Sequence, residues 1–190
     1  LADGSKATVP LMYQSNRYAL AEADDRQTIE LPYAGNDVSM VVILPRKPDG
    51  LAAIERKLTP EQLALPAEAR PTEVQVFLPR FKVETRYELN KTLQALGMTD
   101  AFNPQKADFT GMVTQLPERD LYISDVIHKA FVDVNEEGTE AAAATGIVIR
   151  VTSAAPSEPK VFRADRPFLF VLRHVPTGTV LFLGRYEKPA

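Results

Sequence analysis

Ile123-Ser124-Asp125-Val126-Ile127-His128-Lys129-Ala130-Phe131-Val132-Asp133-Val134-Asn135-Glu136-Glu137-Gly138-Thr139-Glu140-Ala141-Ala142-Ala143-Ala144 joins two unlike patterns, and the join decides the fold. In its first part, Leu121, Ile123, Ile127, Phe131 and Val134 alternate imperfectly with polar residues, which predicts one long strand over 121–134. In its second part the acidic residues and Gly138 lead into four alanines, then a β-branched patch and a Ser/Pro-rich exit that ends at Pro159. Taken alone, residues 139–145 suit a solvent-exposed helix, because Ala is the strongest helix former and Thr139 can cap it.

Towards the carboxy terminus, 168–175 and 180–186 are apolar runs joined by Pro176-Thr177-Gly178-Thr179, which predicts a hairpin of two buried strands. Towards the amino terminus, 27–33 alternates with Ile29, Leu31 and Tyr33 on one side, and Pro32 suggests an edge strand. After a turn at 34–37, residues 38–44 form a nearly continuous β-branched and apolar run, as expected of a strand covered on both faces. Leu51, Ile54 and Leu58 have the spacing of a short amphipathic helix. Thr59-Pro60-Glu61-Gln62 predicts the start of a second helix, with Thr as N-cap, Pro at the first position and Gln three after the cap. Residues 73–78 read as a strand with Val74, Val76 and Leu78 on one face, limited by Pro79, and the alternation resumes at Phe81. Leu89, Leu93 and Leu96 mark the core face of a helix that Gly97 can close, and 102–116 reads as surface connection.

With 190 residues, 45% of them hydrophobic, the chain can bury a real core. A net charge of -3 with scattered Lys and Arg leaves no electrostatic footprint for nucleic acid. The absence of cysteine excludes disulfides, thiolate catalysis and sulfur-ligated metals. His128 and His174 are the only histidines and lack ligand spacing, so no metal is expected. No serine sits in a nucleophile-elbow glycine context, so the chain does not read as an enzyme. The longest apolar runs are too short to cross a bilayer, and residues 1–20 lack the pattern of a signal peptide. The opening Leu1-Ala2-Asp3-Gly4 reads like the middle of a longer protein. Asn90-Lys91-Thr92 is a formal glycosylation sequon, read as a chance match because it falls on the predicted helix.

Residues 123–140 with the alanines behind them resemble the strand and hinge of the serpins, the serine protease inhibitors. Phe162-Arg163-Ala164-Asp165-Arg166-Pro167-Phe168-Leu169-Phe170 resembles the signature that follows that family's bait loop, and Leu183-Gly184-Arg185-Tyr186 resembles its closing strand. Val9-Pro10-Leu11-Met12, Leu44-Pro45, Leu78-Pro79-Arg80-Phe81 and Ala107-Asp108-Phe109-Thr110-Gly111 are similar to further family motifs, in the expected order. The resemblance spans essentially the whole chain. It implies a serpin-like α+β fold, with β-rich mixed sheets, a few helices and an exposed, insertable reactive loop. It also implies that 1–190 is the carboxy-terminal portion of such a domain, without the amino-terminal half, and that 136–160 holds the hinge and reactive loop.

The resemblance assigns Glu136, Gly138, Thr139, Glu140, Ala141, Ala142, Ala143 and Ala144 to the hinge and places His128 where the main sheet opens. By composition alone, Glu136, Glu137 and Glu140 are a solvated acidic face and His128 is a packed strand residue, while His174 has no assigned role. The chemistry suits a hinge: Gly138 bends without a Cβ penalty, and small alanines can slide between strands. Thr139, the first residue to enter, brings a neutral hydroxyl that is cheaper to bury than a charge. The implied function is suicide inhibition, without a cofactor, of a serine protease, cysteine proteases being a further target class; the protease serine attacks the bait bond before the cleaved loop inserts into the main sheet. In the family the residue before that bond is the fifteenth from the hinge glycine, so the resemblance implies Thr152-Ser153, suited to an elastase-like or subtilisin-like pocket. Arg150-Val151 is the alternative bond, suited to a trypsin-like protease. The alternative function is a non-inhibitory relative acting as a binding or chaperone module, for which bulky or charged hinge residues are expected. Family habit implies a monomer, with no membrane association, in an extracellular or periplasmic setting, intracellular members being the exception.

Overall fold

The computed structural model describes residues 7–112, 121–136 and 158–188. In chain order its strands are β1 (Leu11–Glu22), β2 (Arg26–Pro32), β3 (Val38–Pro45), β4 (Arg70–Pro79), β5 (Phe81–Glu88), β6 (Ile127–Val134), β7 (Lys160–Arg163), β8 (Phe168–His174) and β9 (Val180–Tyr186). Two short α-helices, α1 (Leu51–Glu55) and α2 (Asn90–Ala95), and three 3-10 turns complete the described residues. The chain divides into two compact units: Leu1–Phe81 with Asp133–Ala190, and Lys82–Val132.

The first unit is built on a seven-stranded mixed sheet in the order β7-β4-β1-β2-β3-β8-β9. Every neighbouring pair with a recorded register is antiparallel except β4 and β7, which run parallel from Val74↔Lys160 to Phe77↔Arg163. As the apolar run predicts, β3 is the most buried strand, every residue after Val38 being inaccessible on either face. On one face Val41 and Ile43 pack with Leu169 and Val171 beneath Leu51 and Ile54 of α1, and Leu58 and Leu63 extend this cluster. On the other, Val42 lies in register with Phe170, whose ring joins Phe81, with centroids 5.1 Å apart. Phe168 and Tyr186 stack into the same aromatic group at 5.2 Å. Burying each such side chain is worth about 1.5–3 kcal/mol, so this double-sided centre is what the sheet folds around.

Several expectations need correction. Pro32 does not mark an edge: β2 lies between β1 and β3, and Pro32 falls beyond the last β1 pair, Ala19↔Glu30, where no N–H is required. β1, twelve residues long, carries no strand signal because Gln14, Ser15, Asn16 and Arg17 interrupt its apolar pattern. The segment after Thr59 forms one 3-10 turn, Pro60–Leu63, instead of a longer helix. Its capping Gln62 still accepts the Thr59 N–H at 3.3 Å, but the chain is extended by Ala64, two residues before Pro66. The closing hairpin forms, yet β9 is the sheet edge and Val180, Leu181, Phe182 and Leu183 remain 40–51% exposed, so it is not buried.

In the second unit, α2 ends as predicted in a left-handed Gly97 (φ 101°), and the N–H of Met98 reaches back to the carbonyl of Leu93 at 3.0 Å. Its proposed core face is not buried among the described residues: Leu96 is 79% exposed. The predicted strand over 121–134 is a strand only from Ile127. The preceding residues are tied individually, the Ile123 N–H to the Ala101 carbonyl at 2.9 Å and the Val126 N–H to Asn90 Oδ1 at 2.7 Å. The residues over 102–112 are mostly surface connection, as read, although Ala107 is buried.

Candidate functional site

Both chain segments that lead to residues 137–157 are rooted in β4 or directly behind it. On the way in, β6 ends at the buried Val134, and Asn135 and Glu136 follow. Glu136 accepts a hydrogen bond from Arg80 Nε at 2.7 Å, and the Arg80 Nη2 lies against the same carboxylate oxygen. Arg80 is the single residue between β4 and β5, placed there because Pro79 ends the β4 ladder. The Arg80 guanidinium holds the Glu136 carboxyl below the usual carboxylate range.

On the way out, the four residues of β7 run along β4. Phe162 is fully buried and in register with Val76, and the Arg163 guanidinium lies 4.7 Å from the centroid of the Phe77 ring. The Ala164 N–H donates to the Phe77 carbonyl at 2.9 Å. Lys160 pairs with Glu22, which also accepts from Arg46 and Gln27, each at 3.2 Å. Lys160, then Arg46 and Gln27, draw the Glu22 carboxyl below its ordinary value despite some burial. The exit strand is therefore fastened by one apolar plug and an ionic cluster, and on the entry side Glu136, just after β6, is tied to Arg80 by an exposed ion pair.

Of the predicted site residues, Glu136 and His128 are described. His128 lies exposed on β6, its ring stacked at 6.5 Å and 18° on Tyr87 of β5. Gly138, Thr139, Glu140, Ala141, Ala142, Ala143, Ala144, Arg150, Val151, Thr152 and Ser153 lie outside the described residues. β5 and β6 form a two-stranded sheet, so among the described residues one edge of β6 has no strand beside it. Sequence reasoning did not single out Arg80 as a site residue or Lys160 and Glu22 at all, because their partners lie 56 and 138 positions away. His174, given no role, pins its own turn: its Nδ1 is 2.8 Å from the Thr177 hydroxyl, which in turn is 2.8 Å from that of Thr179.

The family model described as Serpin (serine protease inhibitor) matches residues 1–189. Human Serpin B11 is 45% identical over 194 residues, covering 100% of this chain and 48% of the relative. The human leukocyte elastase inhibitor is 45% identical over 193 residues, covering 97% and 50%. Among solved structures, the thermophilic serpin tengpin in its native state superposes with a TM-score of 0.76 at 34% identity, over 98% of this chain and 48% of that one. The chain thus spans about half the length of the curated relatives it matches.

Proposed function

The chain belongs to the serpin family, and from that premise we propose that it supplies the bait and the trap of a suicide inhibitor of serine proteases. The protease serine Oγ attacks the carbonyl carbon of the bait residue, the peptide C–N bond breaks, and the new amino terminus leaves with the proton, so that an ester joins the two proteins. The cleaved segment, continuing from β6 through Gly138, then folds back against the edge of β6 that has no neighbour among the described residues. A glycine and four alanines close behind β6 are the observation that carries this reading. Residues 139–152 laid out as strand span about 45 Å at roughly 3.3 Å per residue. That reach suffices to carry a tethered protease across a domain and distort its active site. The native arrangement is then metastable, and insertion releases its strain.

In this reading 1–190 is the carboxy-terminal portion of the inhibitor and 136–160 its working segment. The bait bond is Thr152-Ser153, and the likeness to the human leukocyte elastase inhibitor supports an elastase-like target. The test is incubation of the full-length protein with elastase-like, subtilisin-like and trypsin-like proteases. The expected result is a complex that survives SDS, with a released peptide that begins at Ser153. A peptide beginning at Val151 moves the bait to Arg150, and clean cleavage with no complex overturns inhibition in favour of a binding or chaperone role.

A further inference from the structure

A half-open cavity of about 720 Å³ lies within the first unit, where the connection after the Pro60–Leu63 turn passes the β1-β2 hairpin and the start of β4. This volume falls in the range of small-molecule sites. Leu20, Ala21, Ala23 and Pro66 supply an apolar lining, and the charged groups stand around it.

Those charges do not cancel. Arg26 is matched by Asp25 at 3.0 Å, while Arg46 and Lys160 share the one carboxylate of Glu22. Arg70 has no carboxylate partner among the described residues. Its Nη1 is instead fixed by the carbonyls of Ala67 at 2.8 Å and Ala69 at 3.0 Å, which leaves its remaining N–H groups available. Glu68 is the other carboxylate of the lining, so one positive charge remains in excess. Thr28 also lines the cavity and is only 3% exposed.

We infer that this cavity binds a small amphipathic anion, a monocarboxylate or monosulfonate with an apolar body. Arg70, held in place beforehand by two carbonyls, takes the acid group, and the apolar lining takes the body. Preorganisation of this kind raises affinity because little side-chain freedom is lost on binding. The site touches the bait segment only at its exit, through Lys160, and does not depend on the inhibitory reading.

The experiment is calorimetric titration of the intact protein with decanoate and, in parallel, with decanol. Saturable one-site binding of decanoate is expected, with decanol at least about tenfold weaker, since a bidentate charge-assisted contact is lost. Arg70→Gln is expected to weaken decanoate by about tenfold or more and to leave decanol unchanged. Ala23→Leu, at an exposed hairpin position, keeps every charge but narrows the cavity and is expected to weaken both ligands. Absence of saturable binding, equal binding of decanol, or full retention of decanoate affinity in a folded Arg70→Gln protein overturns the inference.

Discussion

The Arg80 Nε donates to the Glu136 carboxylate at 2.7 Å across 56 residues of sequence, joining the end of β4 to the base of the proposed bait segment. The pair is exposed, so it contributes little to global stability, but it fixes where the segment leaves the sheet. Arg80→Gln is expected to leave the unfolding midpoint unchanged and to speed spontaneous loss of inhibitory capacity on storage, without cleavage. Because Arg80 lowers the Glu136 pKa, the pair is intact above the unfolded carboxylate value of about 4.3 and is lost as pH falls through the lower folded value. Wild-type decay should therefore be flat from about pH 5 to 8 and approach the Arg80→Gln rate only in more acidic solution. Equal decay of the two proteins near pH 7 would sink the idea.

Thr139 is the first hinge residue to enter under the proposed mechanism, and an arginine there would have to be desolvated in the sheet. Thr139→Arg is expected to be cleaved at the wild-type rate while the yield of SDS-stable complex drops about tenfold or more. Densitometry of complex against cleaved inhibitor reads the ratio directly. A Thr139→Arg protein that still traps protease fully would show the hinge assignment to be wrong.

Local chemistry made β3 legible, since no solvent-facing strand would carry Val-Ser-Met-Val-Val-Ile-Leu, and the burial of residues 39–45 agrees. It failed at β1, whose backbone is paired by β4 and β2 while Ser15, Asn16 and Arg17 point to solvent, so pairing left no apolar trace. It over-read 121–126, where alternation exists but the N–H groups are satisfied one by one at Ala101 and Asn90. At the candidate site, family resemblance located Glu136, whereas Arg80 was visible only as part of a motif. Its role depends on a distant ion pair that no local pattern encodes.

Gly184 of β9 lies in register with Phe170, which is 1% exposed. A Cβ on Gly184 would come within 2.7 Å of Phe170 Cε1 and 3.0 Å of Cε2, inside van der Waals contact with a ring that has nowhere to move. Gly184→Ala is expected to destabilise by about 1–3 kcal/mol, as core overpacking does. Gly111→Ala, where no atom lies within 4 Å of the added carbon, should change stability by no more than about 0.5 kcal/mol. Urea titration of both variants provides the comparison, and equal midpoints would refute the packing argument.

Asn90 uses both ends of its side chain. Nδ2 donates to the Ser124 carbonyl and Oδ1 accepts the Val126 N–H, each at 2.7 Å, so it closes the loop that precedes β6. A glycan on Nδ2 would replace one of its two hydrogens and crowd the Ser124 carbonyl 2.7 Å away, so the Asn90-Lys91-Thr92 sequon should remain unmodified in a glycosylating host. Peptide mass spectrometry would detect the added sugar if this is wrong. Asn90→Ala would leave the half-buried Val126 N–H without its acceptor, at an expected cost of about 1–3 kcal/mol. Asn90→Asp keeps the acceptor and loses only the donor, so it should recover part of that stability. A ranking of wild type, then Asp, then Ala in thermal midpoint is the outcome that supports the bidentate role, and identical midpoints for Asp and Ala would remove it.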